Sequence, residues 1–288
     1  MTAAVRTLDV FRGFPRPLPP GRPGDPGLFG PGSVAWRVNG EGVLLLGGPR
    51  ALLMQIAHPS VAAGVADHSG FPAEPYTRLW RTMDAMLRVS FGDSRQSREA
   101  ADRVSAVHER VTGRRGDGRP YRALDPDLLL WVHATLVDTG LVTYRRFFRA
   151  LPPEDEERYV REMSRLAVAM HVPADALPEN LAAFRAYVDE TVERLRVGDR
   201  ARRLAPSILR PPLPLALRPA GAIQELVTVG LLPPHLRRQY GLRWTPTRER
   251  ALAASSAAAR AVVPLLPPVL RRWPHARAAE RRVGSSRH

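Results

Sequence analysis

The chain has 288 residues, 44% hydrophobic and 25% charged, which is enough apolar side chain for one large domain or two small ones. It holds no cysteine, and all 43 residues of its Lys+Arg total are arginine. That excludes thiolate haem ligation, iron–sulfur clusters, Cys-based zinc sites, disulfides, a P-loop lysine and a Schiff-base lysine. The formal charge of +15 points towards an anionic partner: nucleic acid, a membrane surface or an acidic ligand.

Residues 1–33 carry Pro15, Pro17, Pro19, Pro20, Pro23, Pro26 and Pro31 among glycines, and read as an extended arm. Residues 34–46 fit either a hairpin about Asn39-Gly40 or a helix ending before Gly47-Gly48-Pro49. Residues 50–65 place Leu53, Ile56, Ala57 and Val61 on one helical side, with Pro59 as a kink or boundary. Residues 75–89 repeat the pattern with Leu79, Met83, Met86 and Leu87. Residues 98–112 follow with Val104, Val107 and Val111, and Gly113 falls where a C-cap is expected. Asp125-Pro126 reads as an N-cap opening an apolar helix towards Thr139. Pro152-Pro153 before Glu154, Asp155, Glu156 and Glu157 starts another, ended by Pro173. A helix opens at Pro178 and runs to about Val197, and a proline-rich connector spans 206–219. A helix over 220–229 and two short ones after Pro234 and Thr245 complete the series. The expected fold is all-α, a multi-helix bundle, as a single domain over 34–272 with a basic disordered tail over 273–288.

Much of the positive excess lies near the C-terminus, where nine arginines stand against two glutamates from Thr245 to His288. No DNA- or RNA-binding motif accompanies it, so no specific nucleic-acid partner is expected, while peripheral membrane contact stays open. Residues 1–6 precede no apolar stretch of signal-peptide length, and the apolar run 43–57 is broken by Gly47, Gly48, Pro49 and Arg50. A cytoplasmic protein is the expectation.

A bundle builds its sites from polar side chains on apolar stripes. His108 has Val104 four before it, Val111 three after and Val107 beside it, so it is expected to point inwards with these valines, and reads either as a ligand or as a neutral core histidine bonded to a carbonyl. His133 lies with Leu129, Leu136 and Val137, next to Trp131, where a packed core histidine is the simpler reading. His58 precedes Pro59 and is placed to cap or bend its helix, and His68 sits at a turn. Arg78, Arg81 and Thr82, spaced i, i+3, i+4, fall on one helix face, where they could polarise oxygen, grip a carboxylate, or pair with Asp84 and Glu74. Ferritin-like Glu-x-x-His pairs, His-Glu-x-x-His and Gly-x-Ser-x-Gly are all missing. A lone helical histidine in an apolar all-α setting, with polar groups on a neighbouring helix, suits haem, which binds largely through apolar burial and needs one strong axial ligand.

Five segments carry a family resemblance: Gly47 to Pro59, Asp67-His68-Ser69, Arg78-Leu79-Trp80-Arg81-Thr82, Val107 to Gly113, and Asp125 to Leu136. In wording and order they resemble the MpaB-type/rubber oxygenase catalytic domain, the family of the latex-clearing proteins. The resemblance implies an all-α fold around one b-type haem. It places the axial iron ligand on His108 and the distal Arg-x-x-Lys-Thr group on Arg78, Arg81 and Thr82. Arg50, His58, His68 and His133 would then be supporting groups or partners of the haem propionates. The implied activity is oxygenation with O₂ of an apolar, isoprenoid- or polyketide-like substrate, drawing on an unidentified electron donor. Two departures count against rubber cleavage: Arg81 stands at the lysine position, and no carboxylate occurs between Gln55 and Ala66. The competing readings are a haem protein without turnover, acting as sensor or carrier, and an arginine-rich helical protein binding nucleic acid or a membrane surface.

Overall fold

A computed structural model of the protein describes residues 10–68 and 75–284. Among these the architecture is all-α, with fourteen α-helices and one two-stranded hairpin. The central element is α6 (Pro126–Phe147), preceded in the chain by α1 (Val34–Asn39), α2 (Gly48–Ala57), α3 (Pro59–His68), α4 (Pro75–Phe91) and α5 (Ser94–Glu109). Asp125 caps α6 by accepting the Asp127 N–H at 3.0 Å, and Pro126 occupies the first turn, where no amide hydrogen is needed. Its 22 residues bury side chains around the whole circumference, from Leu128 to Phe147. A helix apolar on all sides must be surrounded. α1, α2, α7 (Pro153–Ala169), α8 (Leu181–Arg194) and α12 (Pro246–Val262) pack around it.

Between α1 and α2 the chain forms a 3₁₀ turn, Gly42–Gly47, so residues 34–46 are helical rather than a hairpin. The α2–α3 boundary falls at His58, as Pro59 requires. α5 opens with a capping box in which Asp93 and Gln96 satisfy each other's backbone amides. It stops at Glu109, three residues earlier than expected. Gly113 is not its cap but a member of strand β1 (Thr112–Arg114), which pairs antiparallel with β2 (Pro120–Arg122) and sets Gly113 opposite Tyr121. A Cβ at Gly113 would meet the Tyr121 hydroxyl at 2.7 Å.

Three further expectations change. The connector expected from Pro206 begins later, because α9 (Asp199–Leu209) runs through that proline and buries Ala201, Leu204, Ala205, Ile208 and Leu209. After α10 (Arg218–Leu231) and α11 (Pro234–Gln239), α12 is a full 17-residue helix rather than a short one. Beyond α13 (Pro268–Arg271), the segment expected to be a disordered tail forms α14 (Pro274–Gly284), packed on α4. The described part of the arm is also packed. Leu18 and Phe29 join the main core, and Asp93 accepts the Arg22 N–H at 2.8 Å.

Arm and final helix lock the same place. Arg282, largely buried, donates to the carbonyls of Asp25 at 2.9 Å and Phe91 at 3.0 Å. Gly27 lies against the turn between α4 and α5 with φ +71, and a Cβ there would come within 1.9 Å of the Gly92 carbonyl oxygen. Only glycine supplies both that backbone conformation and that closeness.

Candidate functional site

α4 and α5 pack on each other as an antiparallel helical hairpin, resting on α1 and α14. Residues equidistant from the turn at 92–93 lie level, so His108, in the last turn of α5, stands beside the first turn of α4 that carries Arg78. α3 packs instead on α2, α9 and the β-hairpin, and no close packing of α3 or α9 against α4 and α5 occurs among the described residues. Half-covered apolar side chains pack against the main core from both elements: Val61 and Val65 on α3, and Tyr76, Leu79, Met83 and Met86 on α4.

The margins are tied down by polar contacts. Tyr76 donates its hydroxyl to the Pro212 carbonyl at 2.9 Å, joining the start of α4 to the segment after α9. Burial pushes the Tyr76 phenol up to about 12, so it stays a donor. At the end of α3, Asp67 accepts the Tyr121 hydroxyl at 2.9 Å and the Arg200 guanidinium at 2.9 Å. Partial burial raises the Asp67 carboxyl, but these two donors outweigh it and hold it below the ordinary range.

His108 is half-buried, and no hydrogen bond reaches its ring among the described residues. Desolvation alone lowers its pKa, leaving a neutral imidazole at physiological pH. Of its expected stripe, Val104 and Val111 are half-buried with it, whereas Val107 is 59% exposed. Arg81 and Thr82 are exposed on α4 without an ion pair or side-chain hydrogen bond among the described residues. Arg78 lies on α4, and its side chain lies outside the described residues, as does Glu74. Asp84, one of the carboxylates expected to pair with the arginines, is taken by Arg88 at 2.5 Å and by His275 at 3.2 Å.

The remaining expected residues sit elsewhere. Arg50 is 3% exposed and places its donors inside the bundle: Nε on the Leu231 carbonyl at 2.7 Å, Nη1 on Thr139 Oγ1 at 2.6 Å and Nη2 on Asp138 at 2.7 Å. It fastens α2 to α6 and to the end of α10. His58 caps α2 and accepts the Ser60 N–H on Nδ1 at 3.2 Å, with burial lowering its pKa. His68 is exposed, its Nε2 2.9 Å from the Thr112 carbonyl, tying α3 to β1.

His133 is buried on α6 beside Val160, Ser164 and Phe184, where it lines a cavity of about 10 Å³, room for about one water. Its Nδ1 has no hydrogen-bond partner among the described residues, and burial lowers its pKa to about 4. Reasoning from sequence missed His275, which is fully buried on α14 with a pKa lowered to about 4. It links the C-terminal helix to α4, two residues beyond Thr82. The local pattern Pro274-His275-Ala276 holds no apolar stripe that would reveal it.

No group of three or more metal-ligating side chains occurs among the described residues. The single-histidine donor set fits a cofactor that brings its own equatorial ligands and asks one neutral nitrogen of the protein. No described helix is long and apolar enough to cross a membrane.

A family model described as "ER-bound oxygenase mpaB/B'/Rubber oxygenase, catalytic domain" matches residues 36–272. Two uncharacterized proteins, Mb2261 of Mycobacterium bovis and Rv2237 of Mycobacterium tuberculosis, are each similar at 25% identity over 206 residues, covering 69% of this chain and 80% of the relative. No solved structure matches.

Proposed function

This chain belongs to the MpaB/rubber oxygenase catalytic-domain family, and on that premise we propose that it is a haem-b-dependent oxygenase with His108 as the axial ligand. The observation that carries the reading is the His108 ring: half-buried, neutral and without a hydrogen-bond partner among the described residues, at the open end of a helical hairpin. A structural histidine in such a place ordinarily bonds a carbonyl, and this one bonds none among the described residues. A planar, largely apolar macrocycle held by His108 would gain its binding through further burial of half-covered apolar side chains such as Leu79, Met83 and Met86.

Bound there, haem would supply an iron centre that activates O₂. The protein's own part is electrostatic. Arg81, without an ion pair among the described residues, and the Thr82 hydroxyl offer hydrogen-bond donors to negative charge developing on oxygen, with Arg78 on the same helix as a further candidate. Arginine does not give up its proton, so a proton needed by the reaction comes from water, substrate or Thr82 relay rather than from position 81. Arg50, His58, His68 and His275 act in the framework through the contacts already described, and His133 as a buried side chain of α6.

The apolar rows favour an apolar substrate, isoprenoid- or polyketide-like, and turnover calls on an electron donor. Oxygen uptake by the haem-loaded protein tests this. Arg81→Ala keeps its haem and loses about 100-fold in rate, the cost of removing one such donor. A wild type that binds haem and consumes no oxygen with any reductant contradicts turnover, as does an Arg81→Ala variant as fast as wild type.

A further inference from the structure

The corner after α12 exposes aliphatic side chains that the fold does not cover. Leu265 is 83% exposed and Leu270 70%, and Val262 and Val269 are exposed beside them in the chain. A 3₁₀ turn (Val263–Leu265) and the one-turn α13 hold this segment. Pro264, Pro267 and Pro268 restrict its backbone, so the side chains are presented with little entropy left to lose.

The surroundings are basic. Between residues 245 and 284 stand eight arginines and two glutamates. Both glutamates are engaged, Glu280 by Arg272, and Glu249 by the Trp244 indole at 2.7 Å and by Arg146. Arg260 is exposed at the near end, and Arg277 reaches the Val269 carbonyl at 3.5 Å. Aliphatic tips rimmed by arginine match the layered chemistry of a bilayer surface, acyl chain beneath phosphate. Four such side chains present well under the ~800 Å² per partner of a stable protein interface.

We propose that residues 262–270 dock this protein onto an anionic lipid bilayer, inserting Val262, Leu265, Val269 and Leu270 while Arg260 and Arg277 meet lipid phosphates. The inference stands on this surface and is independent of what His108 binds. Flotation of the full chain with phosphatidylcholine vesicles, with and without phosphatidylglycerol, tests it alongside the charge-neutral double variant Leu265→Gln/Leu270→Gln. Circular dichroism verifies that the variant is folded. The expected result is binding to the phosphatidylglycerol vesicles that weakens about tenfold or more in the variant, as two inserted leucines require. Equal flotation of wild type and variant would show adsorption by bulk charge only and overturn the proposal. So would a wild type that stays with the unbound fraction, or a wild-type dimer that the variant converts to monomer, since a second copy would then cover the patch.

Discussion

Replacing Arg50 with alanine removes a guanidinium whose Nε, Nη1 and Nη2 are committed to Leu231, Thr139 and Asp138 within 2.7 Å. The change strands the Leu231 carbonyl and Asp138 and opens space beside Thr139. Breaking a fully buried charged pair costs about 3–5 kcal/mol. Arg50 is nearly inaccessible but the Asp138 side chain is 22% exposed, and water there will solvate part of the orphaned charge. The expected loss is therefore near the lower bound, about 3 kcal/mol. Urea denaturation at neutral pH measures it, and Asp138→Ala with the double variant gives the coupling between the two, expected at about 1–3 kcal/mol. Haem content per folded molecule should stay unchanged, because Nε, Nη1 and Nη2 of Arg50 are each held by framework partners inside the bundle. A loss under about 1 kcal/mol, or haem lost from a variant that remains folded, would refute this assignment of Arg50 to the framework.

The two buried histidines make stability depend on pH. His133 and His275 each have a pKa lowered from 6.5 to about 4, by burial first in both cases. The unfolded chain therefore takes up protons that the folded one refuses. Their contribution is fully present above pH 6.5 and is lost as pH falls towards 4, roughly 3 kcal/mol for each. Denaturation midpoints at pH 7, 6, 5 and 4 should fall with this slope, less steeply in His275→Gln, and a flat profile would contradict it. Gly27→Ala combines a positive φ with a Cβ pressed on the Gly92 carbonyl, so a loss of about 2 kcal/mol or more is expected in thermal melts. An unchanged melting temperature would show that the arm does not bear on the α4–α5 turn.

Local chemistry made much of the fold legible. The Asp125-Pro126 start of α6 and the Pro152-Pro153 start of α7 depend on neighbours in the chain, and both stand as read. α9 stayed hidden because a proline ordinarily ends a helix, whereas here burial of Leu204, Ala205, Ile208 and Leu209 outweighs Pro206. α14 stayed hidden because its buried face is alanine, histidine and arginine. Arg282 is held by carbonyls of Asp25 and Phe91, remote in sequence, so charge alone suggested a solvated tail. At the site, the valine spacing placed His108 with Val104 and Val111 correctly, but Val107 lies a hundred degrees around the helix and faces out. Arg50 had no local signal for its role, since its three partners are 88 to 181 residues away.

The most direct measurement is the absorption spectrum of the protein produced with haem precursor, beside His108→Ala prepared identically and shown to be folded. A porphyrin band in the wild type that vanishes from the folded variant is the expected result. Equal haem in both, or none in the wild type, would contradict His108 as the axial ligand.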